Sequence, residues 1–244
     1  MSEDIHLKNI EKRIRAVELL RLLKKTHTYD DLSRTTGLPI TVLNRYVKGH
    51  ILPKIKRAEE LLQAFSNERE LQKEISKRIK FDSRGYFDNT ALLSDTLLLR
   101  FIARMIAQKF SADNISTVLT AAVDGIPIAT HVANELGVNI VIAKKSREVG
   151  ISDFLEESYI PSFSGVMMSL YIPKGMIDPK ENILIVDDVI RSGETQRALV
   201  NLVKKAGAEV VRIFVLVAVG SSWRKKELLL PHYPVEVLVQ VREP

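Results

Sequence analysis

The sequence predicts two parts in series: an all-helical amino-terminal module, then an α/β domain built on a mostly parallel sheet. Three observations carry that expectation. Apolar residues recur at three- and four-residue spacing through the first quarter of the chain, the mark of amphipathic helices. Past residue 81, short apolar runs alternate with helical ones, as in βα units. Charge divides at the same place: residues 1–80 hold 18 Lys/Arg against 11 Asp/Glu, or +7, whereas residues 81–244 hold 18 against 19, or −1.

With 244 residues and 45% hydrophobic composition, the chain can bury one substantial core and a smaller second one. The absence of cysteine excludes disulfides, thiolate metal sites and cysteine nucleophiles. Five His residues show no metal-ligand spacing, so any metal is expected to arrive with a ligand. There is no apolar run of about 18 residues, and Met1 to Arg15 is charged throughout rather than signal-like. A cytoplasmic location and no membrane partner are the expectation.

The front module is expected over 1–66. Ile10, Ile14, Val17, Leu20 and Leu23 line one face of a helix between Ile5 and Lys25. Thr28 can cap a second helix with Asp31 as reciprocal partner, Leu32 faces inward, and Gly37 ends it in a left-handed turn. Leu38 to Lys48 makes a third helix, stopped by Gly49. After Pro53, Ile55 to Phe65 resumes the period through Ala58, Leu61, Leu62 and Phe65. Residues 67–80, with Glu68, Arg69 and Glu70 before Leu71, Ile75 and Ile79, read as a charged helical connector that can assist a homodimer.

Tyr29 to Thr36 and Pro39 to Lys48, joined by Gly37 and Leu38, have the dimensions of a helix-turn-helix. The segment resembles the repressor-type motif, including Tyr46, Gly49 and the following Pro53. The resemblance implies double-stranded DNA as a partner, with Thr41, Asn44, Arg45 and Lys48 outward on the recognition helix. Arg45 and Asn44 suit base edges and Lys48 suits phosphate. Leu43, Tyr46 and Val47 read as core. The competing reading is a helical dimerisation or lid module; the charge segregation favours a polyanion partner.

The back module is expected over 81–244. Strands are expected at Ser116 to Val123, Val138 to Ala143, Gly165 to Pro173, Glu209 to Gly220 and, as an edge, Val235 to Val241; Ile126 to Leu136 reads as a helix. The most informative stretch is Ile183-Leu184-Ile185-Val186-Asp187-Asp188-Val189-Ile190-Arg191-Ser192-Gly193-Glu194-Thr195. Four apolar residues form a buried strand that delivers two acids to a turn, and the turn opens a helix whose free amides suit a phosphate. Asp187 and Asp188 can accept from two vicinal ribose hydroxyls, or stand near a magnesium ion on a diphosphate. A solvated strand-to-helix turn is the plainer alternative. A nucleotide hydrolase would need a Gly-rich loop ending in Gly-Lys-Ser/Thr, which the chain lacks.

This stretch resembles the PRPP-binding signature of type I phosphoribosyltransferases: an apolar strand, two acids, three variable residues, then Ser/Thr-Gly-x-Thr. The resemblance implies that fold for the back module and assigns Asp187 through Thr195 to PRPP or nucleotide binding, with Mg2+ possible alongside PRPP. It places Val123, Asp124 and Gly125 in the diphosphate loop, and Lys144 and Lys145 at the strand end that commonly carries basic residues. Gly85 to Asp88, followed by Leu92 and Leu93, looks like the start of orotate-type transferases. Residues 146–165, acidic and free of lysine, read as a mobile flap. Within it, Ser158 and Tyr159 resemble a Ser-Tyr pair of purine transferases, and Tyr159 to Leu170 resembles the Gram-positive purine repressor. Trp223 either stacks on a base or covers the core, the core being favoured.

What the residues lack bears on catalysis. Enzymes of the family that act on 6-oxopurines carry a third acid three residues past the second aspartate; here that position is Arg191, which stays protonated and cannot act as a base. Orotate-type enzymes use flap lysines, and this flap offers only Arg147 at its start. The resulting expectation is a transcription regulator that senses PRPP or a ribose-5-phosphate nucleotide, similar to archaeal and bacterial composite regulators. The alternative is an active purine or orotate phosphoribosyltransferase with an accessory front domain. An RNA-binding attenuator is a third class, disfavoured because structured RNA hides its major groove from such a helix.

Overall fold

The computed structural model describes residues 2–64, 68–83, 85–161, 165–224 and 232–243. They divide into two compact units, 1–77 and 78–244.

In the first unit, α1 (Ser2–Lys24) is followed by α2 (Tyr29–Thr36), α3 (Ile40–Val47), α4 (Ile55–Ala64) and α5 (Glu68–Ser76). The second half of α1 carries the burial, through Ala16, Val17, Leu19, Leu20, Leu22 and Leu23. The start of α2 is fixed by a reciprocal capping box. The Thr28 hydroxyl accepts from the Asp31 amide at 3.2 Å, and the Thr28 amide donates to the Asp31 carboxylate at 3.0 Å. Its end is fixed by Gly37, whose φ of 66° is the left-handed turn expected there. Leu32, Leu43, Tyr46, Ala58 and Leu61 are buried in this unit, while Val47 and Leu62 are half-buried. Phe65, Ser66 and Asn67 lie outside the described residues. The expected connector is more than a linker, because α5 buries Leu71 and Ile75. Its Glu74 is also buried, and accepts from the Thr26 hydroxyl at 3.1 Å and from Lys77 at 2.5 Å.

The second unit opens with a short antiparallel hairpin, β1 (Lys80–Phe81) with β2 (Phe87–Asp88), then α6 (Thr90–Leu93) and α7 (Thr96–Lys109). Its core follows as β3 (Thr117–Ala121), α8 (Ile126–Leu136), β4 (Asn139–Ala143), β5 (Phe154–Tyr159), β6 (Met168–Pro173), β7 (Asn182–Ile190), α9 (Glu194–Ala206), β8 (Glu209–Val219) and β9 (Val235–Val241). Five strands form a parallel sheet in the order β4-β3-β7-β8-β9. Parallel strands covered on both faces need continuous apolar runs, and Ile183 to Val186 and Phe214 to Val219 are each wholly buried.

The order of strands positions the site. From β3 the chain moves to one side, through α8 to β4; from β7 it moves to the other, through α9 to β8. β3 and β7 are neighbours, with Thr117 opposite Ile183 and Leu119 opposite Ile185. The connections therefore diverge at their carboxyl ends and open a crevice there, where α/β sheets of this kind bind ligands.

Several expectations are corrected. The segment Gly165 to Pro173 contributes no strand to the parallel sheet: Met168–Pro173 pairs antiparallel with Phe154–Tyr159 in a separate hairpin. The expected flap, 146–165, is a strand over Phe154–Tyr159. Glu157 on that strand accepts from Asn201 of α9 at 2.7 Å and pairs with Lys205 at 2.6 Å; Ser164 lies outside the described residues. The helix α7, absent from the expected elements, buries Leu98, Leu99, Ile102, Ala103 and Ile106 on one face. The strand of the signature does not stop at Val186 but runs through both acids to Ile190.

Thr28→Ala removes a cap without altering the core, and is expected to lower the stability of the helical unit by about 1 kcal/mol. Urea unfolding of the full chain followed by helical circular dichroism checks this; an unmoved first transition would contradict it.

Candidate functional site

The site is built from two strand ends and the helix that follows one of them. Asp187 and Asp188, consecutive in the carboxyl-terminal half of β7, are each only 5% exposed. Burying a carboxylate demands hydrogen bonds, and each acid receives a carboxamide. Gln196, on the first turn of α9, donates from Nε2 to Asp187 Oδ2 at 2.7 Å and also reaches the Val189 carbonyl at 3.3 Å. Asn89, just after β2, donates from Nδ2 to Asp188 Oδ2 at 2.5 Å. The Asp188 amide donates to Asp187 Oδ1 at 3.1 Å.

These bonds do not cancel the cost of burial. Burial pushes the Asp187 carboxyl well above the usual carboxylate range, and the adjacent Asp188 charge adds to the effect. Asp188 is pushed up to about 6, chiefly by burial and then by the negative charge of Asp124. The pair is a concentration of negative charge that a hydroxyl-rich or cationic group would relieve.

The loop after β3 closes on the same place. Gly125 is buried. A Cβ there would lie 2.3 Å from Thr120 Oγ1 and 2.6 Å from Asp187 Oδ1, so only glycine lets the loop backbone approach the acid. Thr120 Oγ1 itself is buried without a hydrogen-bond partner among the described residues. Val123 and Asp124 are exposed beside it. The Ala122–Val123 peptide is cis, and the Ala122 amide donates to the Ala143 carbonyl at 2.8 Å, tying the loop to the end of β4.

After Ile190 the chain turns through Arg191 and Ser192 to Gly193, whose φ of 89° caps α9 in a left-handed conformation that other residues adopt at a cost. The capping position makes no side-chain bond to the helix, which leaves first-turn amides of α9 available to an anion. Glu194 is buried and accepts from the Ser192 hydroxyl. The Thr195 hydroxyl donates to Tyr159 at 3.4 Å.

The Gly125 backbone thus stands against Asp187, with Asp124 near enough to Asp188 to raise its carboxyl. Lys144 and Lys145 follow β4, but the Lys144 ammonium pairs with Glu148, and its backbone bridges Tyr171; Lys145 is exposed. Tyr159 is 7% exposed in the core rather than on an open flap, and Ser158 bonds Ser169 across the hairpin at 2.7 Å. Trp223 is core, 7% exposed, with its amide on the Arg191 carbonyl at 3.1 Å. Sequence reasoning missed Asn89, Gln196 and Thr120. Asn89 lies 99 residues from its partner and carries no local signal. Gln196 stands one residue beyond the motif and is recognisable only once α9 is built.

In the helical unit, Thr41, Arg45 and Lys48 are exposed along one face of α3. Asn44 departs from the expectation of an outward residue: it is half-buried and its Oδ1 accepts from the Tyr29 hydroxyl at 3.1 Å. Its carbonyl is spent on joining α2 to α3.

Comparison with known proteins places these features. The model of the phosphoribosyl transferase domain matches residues 88–231, more than half of the chain. A probable purine biosynthesis transcriptional regulator PurR of Streptococcus pneumoniae serotype 4 (strain ATCC BAA-334 / TIGR4) is 27% identical over 159 residues, 65% of this chain and 58% of that one. The match therefore spans less than two thirds of the regulator's length. The xanthine phosphoribosyltransferase of Streptococcus pneumoniae (strain P1031) is 28% identical over 148 residues, 60% of this chain and 77% of that enzyme. Among solved structures, adenine phosphoribosyltransferase from Rhodothermus marinus aligns with a TM-score of 0.62 at 24% identity, over 71% of this chain and 99% of that one. Adenine phosphoribosyl transferase from Trypanosoma brucei, in complex with AMP, pyrophosphate and ribose-5-phosphate, aligns with a TM-score of 0.62 at 19% identity, over 70% of this chain and 79% of that one. These likenesses establish the fold.

The raised acids predict a pH dependence. An unfolded aspartate titrates near 4 (about 3.9), below the folded value of about 6 for Asp188. Between the two the folded chain binds the extra proton, so this contribution is complete below pH 4 or so and is lost as pH rises through about 6. Asp188→Asn is expected to be more stable relative to wild type at pH 8 than at pH 4, by on the order of 1–3 kcal/mol. Parallel denaturation series at the two pH values measure this, and an equal difference at both contradicts it.

Proposed function

The chain belongs to the phosphoribosyl transferase domain family, and from that premise we propose that it is a DNA-binding transcription regulator whose second unit senses PRPP or a nucleotide carrying ribose 5-phosphate. The observation that carries the reading is the buried pair Asp187 and Asp188, facing the Gly125 loop and the amino terminus of α9. Two acids suit a vicinal diol, and free helix amides suit the 5-phosphate. The loop amides of residues 123–125 suit a diphosphate. Oxygen donors of this kind fit Mg2+. Among the described residues no cluster of three acidic or His side chains is placed to hold an ion alone. Mg2+ would accordingly come with the diphosphate, with Asp124 and Asp188 as the nearest carboxylates, and would neutralise charge there.

The regulatory half of the reading draws on the front unit. The +7 charge of residues 1–80 and the exposed Thr41, Arg45 and Lys48 along α3 suit a helix-turn-helix that enters the major groove of double-stranded DNA. Lys54, Lys56 and Arg57 border a depression of about 370 Å³ beside Tyr46 and would add phosphate contacts. The similarity to a PurR regulator supports this assignment. A homodimer would read two half-sites about 34–36 Å apart. Ligand would act by differential affinity for two arrangements of the dimer.

The second reading is an active transferase, favoured by the similarity to xanthine phosphoribosyltransferase. Against it stands Arg191 at the position where the 6-oxopurine enzymes carry a proton-handling acid. Diphosphate release from PRPP with adenine, guanine, hypoxanthine, xanthine, orotate and uracil would establish the enzyme; absence of turnover with every base favours the regulator.

Calorimetry with PRPP and Mg2+ is expected to show saturable binding, abolished in the double variant Asp187→Asn, Asp188→Asn. Binding that survives in a folded double variant contradicts the assigned sugar contacts. Arg45→Ala and Lys48→Ala are each expected to weaken retardation of target DNA, and Lys48→Ala to reduce the salt slope by about 1. Genomic fragments that show no retardation at low salt would remove the DNA assignment.

A further inference from the structure

The Asn89 side chain joins Asp188 to the segment that opens the second unit. Its placement is not explained by local structure. It occupies the capping position of α6, for which asparagine is among the best residues, yet makes no side-chain bond to that helix. The Thr90 amide is taken instead by Asp88 Oδ1 at 2.9 Å. The Asn89 carboxamide is committed to Asp188 Oδ2, 99 residues away, at 2.5 Å.

Immediately before Asn89 lies a short hairpin. Its ladder has two residue pairs, Lys80 with Asp88 and Phe81 with Phe87, with an edge contact between the two phenylalanine rings at 5.7 Å; its turn is closed by the Asp82 amide on the Tyr86 carbonyl at 2.9 Å and the Tyr86 amide on Asp82 Oδ1 at 2.8 Å. Two-stranded ladders are marginal even when longer, so what anchors the two ends bears on the order of this one. At the entry, Arg78 pairs with Asp95, the cap of α7, at 3.0 Å with both side chains nearly buried. At the exit stands the Asn89–Asp188 bond. Residue 78 is also where the second unit begins.

We infer that Asn89 is a positioning residue that couples occupancy of the Asp187–Asp188 site to the order of the strands Lys80–Phe81 and Phe87–Asp88. The inference rests on the proposed reading of the acid pair as the sugar site. An ionised carboxylate offers two oxygens and about four lone-pair positions, so Asp188 can keep its amide donor while it accepts from a ligand hydroxyl. A ligand hydroxyl on the other oxygen of Asp188 fixes the carboxylate in the orientation that faces Asn89 and so disfavours the open state of that bond. Linkage is reciprocal: the factor by which ligand strengthens the tether is the factor by which the tether strengthens ligand binding. The coupling uses one hydrogen bond and one marginal element, a physical connection rather than mere proximity.

Amide hydrogen exchange on the full chain, with and without PRPP and Mg2+, tests this, with calorimetry run on the same samples. In the wild type, ligand is expected to slow exchange several-fold in residues 80–81 and 87–89, while the interior of α7 stays unchanged. Asn89→Ala is expected to bind PRPP within about tenfold of wild type, the scale of one hydrogen bond, and to lose the ligand-dependent slowing in those strands. Asn89→Ser serves the same purpose should the alanine variant fail to fold. Absence of PRPP binding by the wild type overturns the sugar-site reading, and the coupling with it. Binding without slowing in β1 and β2, faster exchange there, or equal slowing in a folded Asn89 variant overturns the coupling alone.

Discussion

Two carboxylates buried side by side at the carboxyl end of the central strand are the constraint around which the second unit is arranged. Asp187 and Asp188 are each 5% exposed, and an unsatisfied carboxylate in that position would be costly. The surroundings answer that cost with two amide donors from distant elements and with a glycine that admits the loop backbone. The sheet order supplies the rest. Because the chain leaves β3 and β7 in opposite directions, the acids stand at the edge of a crevice rather than under a crossover. Burial raises the affinity of both acids for protons.

Much of this was legible in the sequence because period and punctuation are local signals. The Thr28–Asp31 box, the Gly37 turn and the helix Ile126–Leu136 follow from residues a few positions apart, and the structure has them where the pattern put them. The approach of the Gly125 loop to Asp187 followed from a motif and from the rule for parallel sheets. What escaped was non-local. The pairing of Phe154–Tyr159 with Met168–Pro173 is set by which strands meet, and a short apolar run does not say whether it joins the main sheet or a separate hairpin. Asn89 and Gln196 are ordinary polar residues until the fold brings them to the acids. Tyr159 reads as a flap residue through the likeness of Ser158-Tyr159 to a Ser-Tyr pair of purine transferases, yet strand alternation turns it inward against the core.

The two units divide the chemistry between them. Residues 1–80 carry a net charge of +7 against −1 for residues 81–244, and α3 has an exposed basic face; the second unit brings two buried acids, a glycine loop and a helix amino terminus together. On the proposed reading, with Arg191 where the 6-oxopurine enzymes carry a proton-handling acid, such a site suits sensing better than turnover. A regulator and transferases are each similar to this chain over 60–65% of its length, so the distinction lies in particular residues and not in the fold.

The most direct measurement of the central claim is a crystal structure of the chain grown with PRPP and Mg2+, or with a purine 5′-nucleotide. The account predicts the ribose hydroxyls on Asp187 and Asp188 and the 5′-phosphate on the amides at the start of α9. Ligand density elsewhere on the molecule, with the acid pair still held only by Asn89 and Gln196, would contradict it.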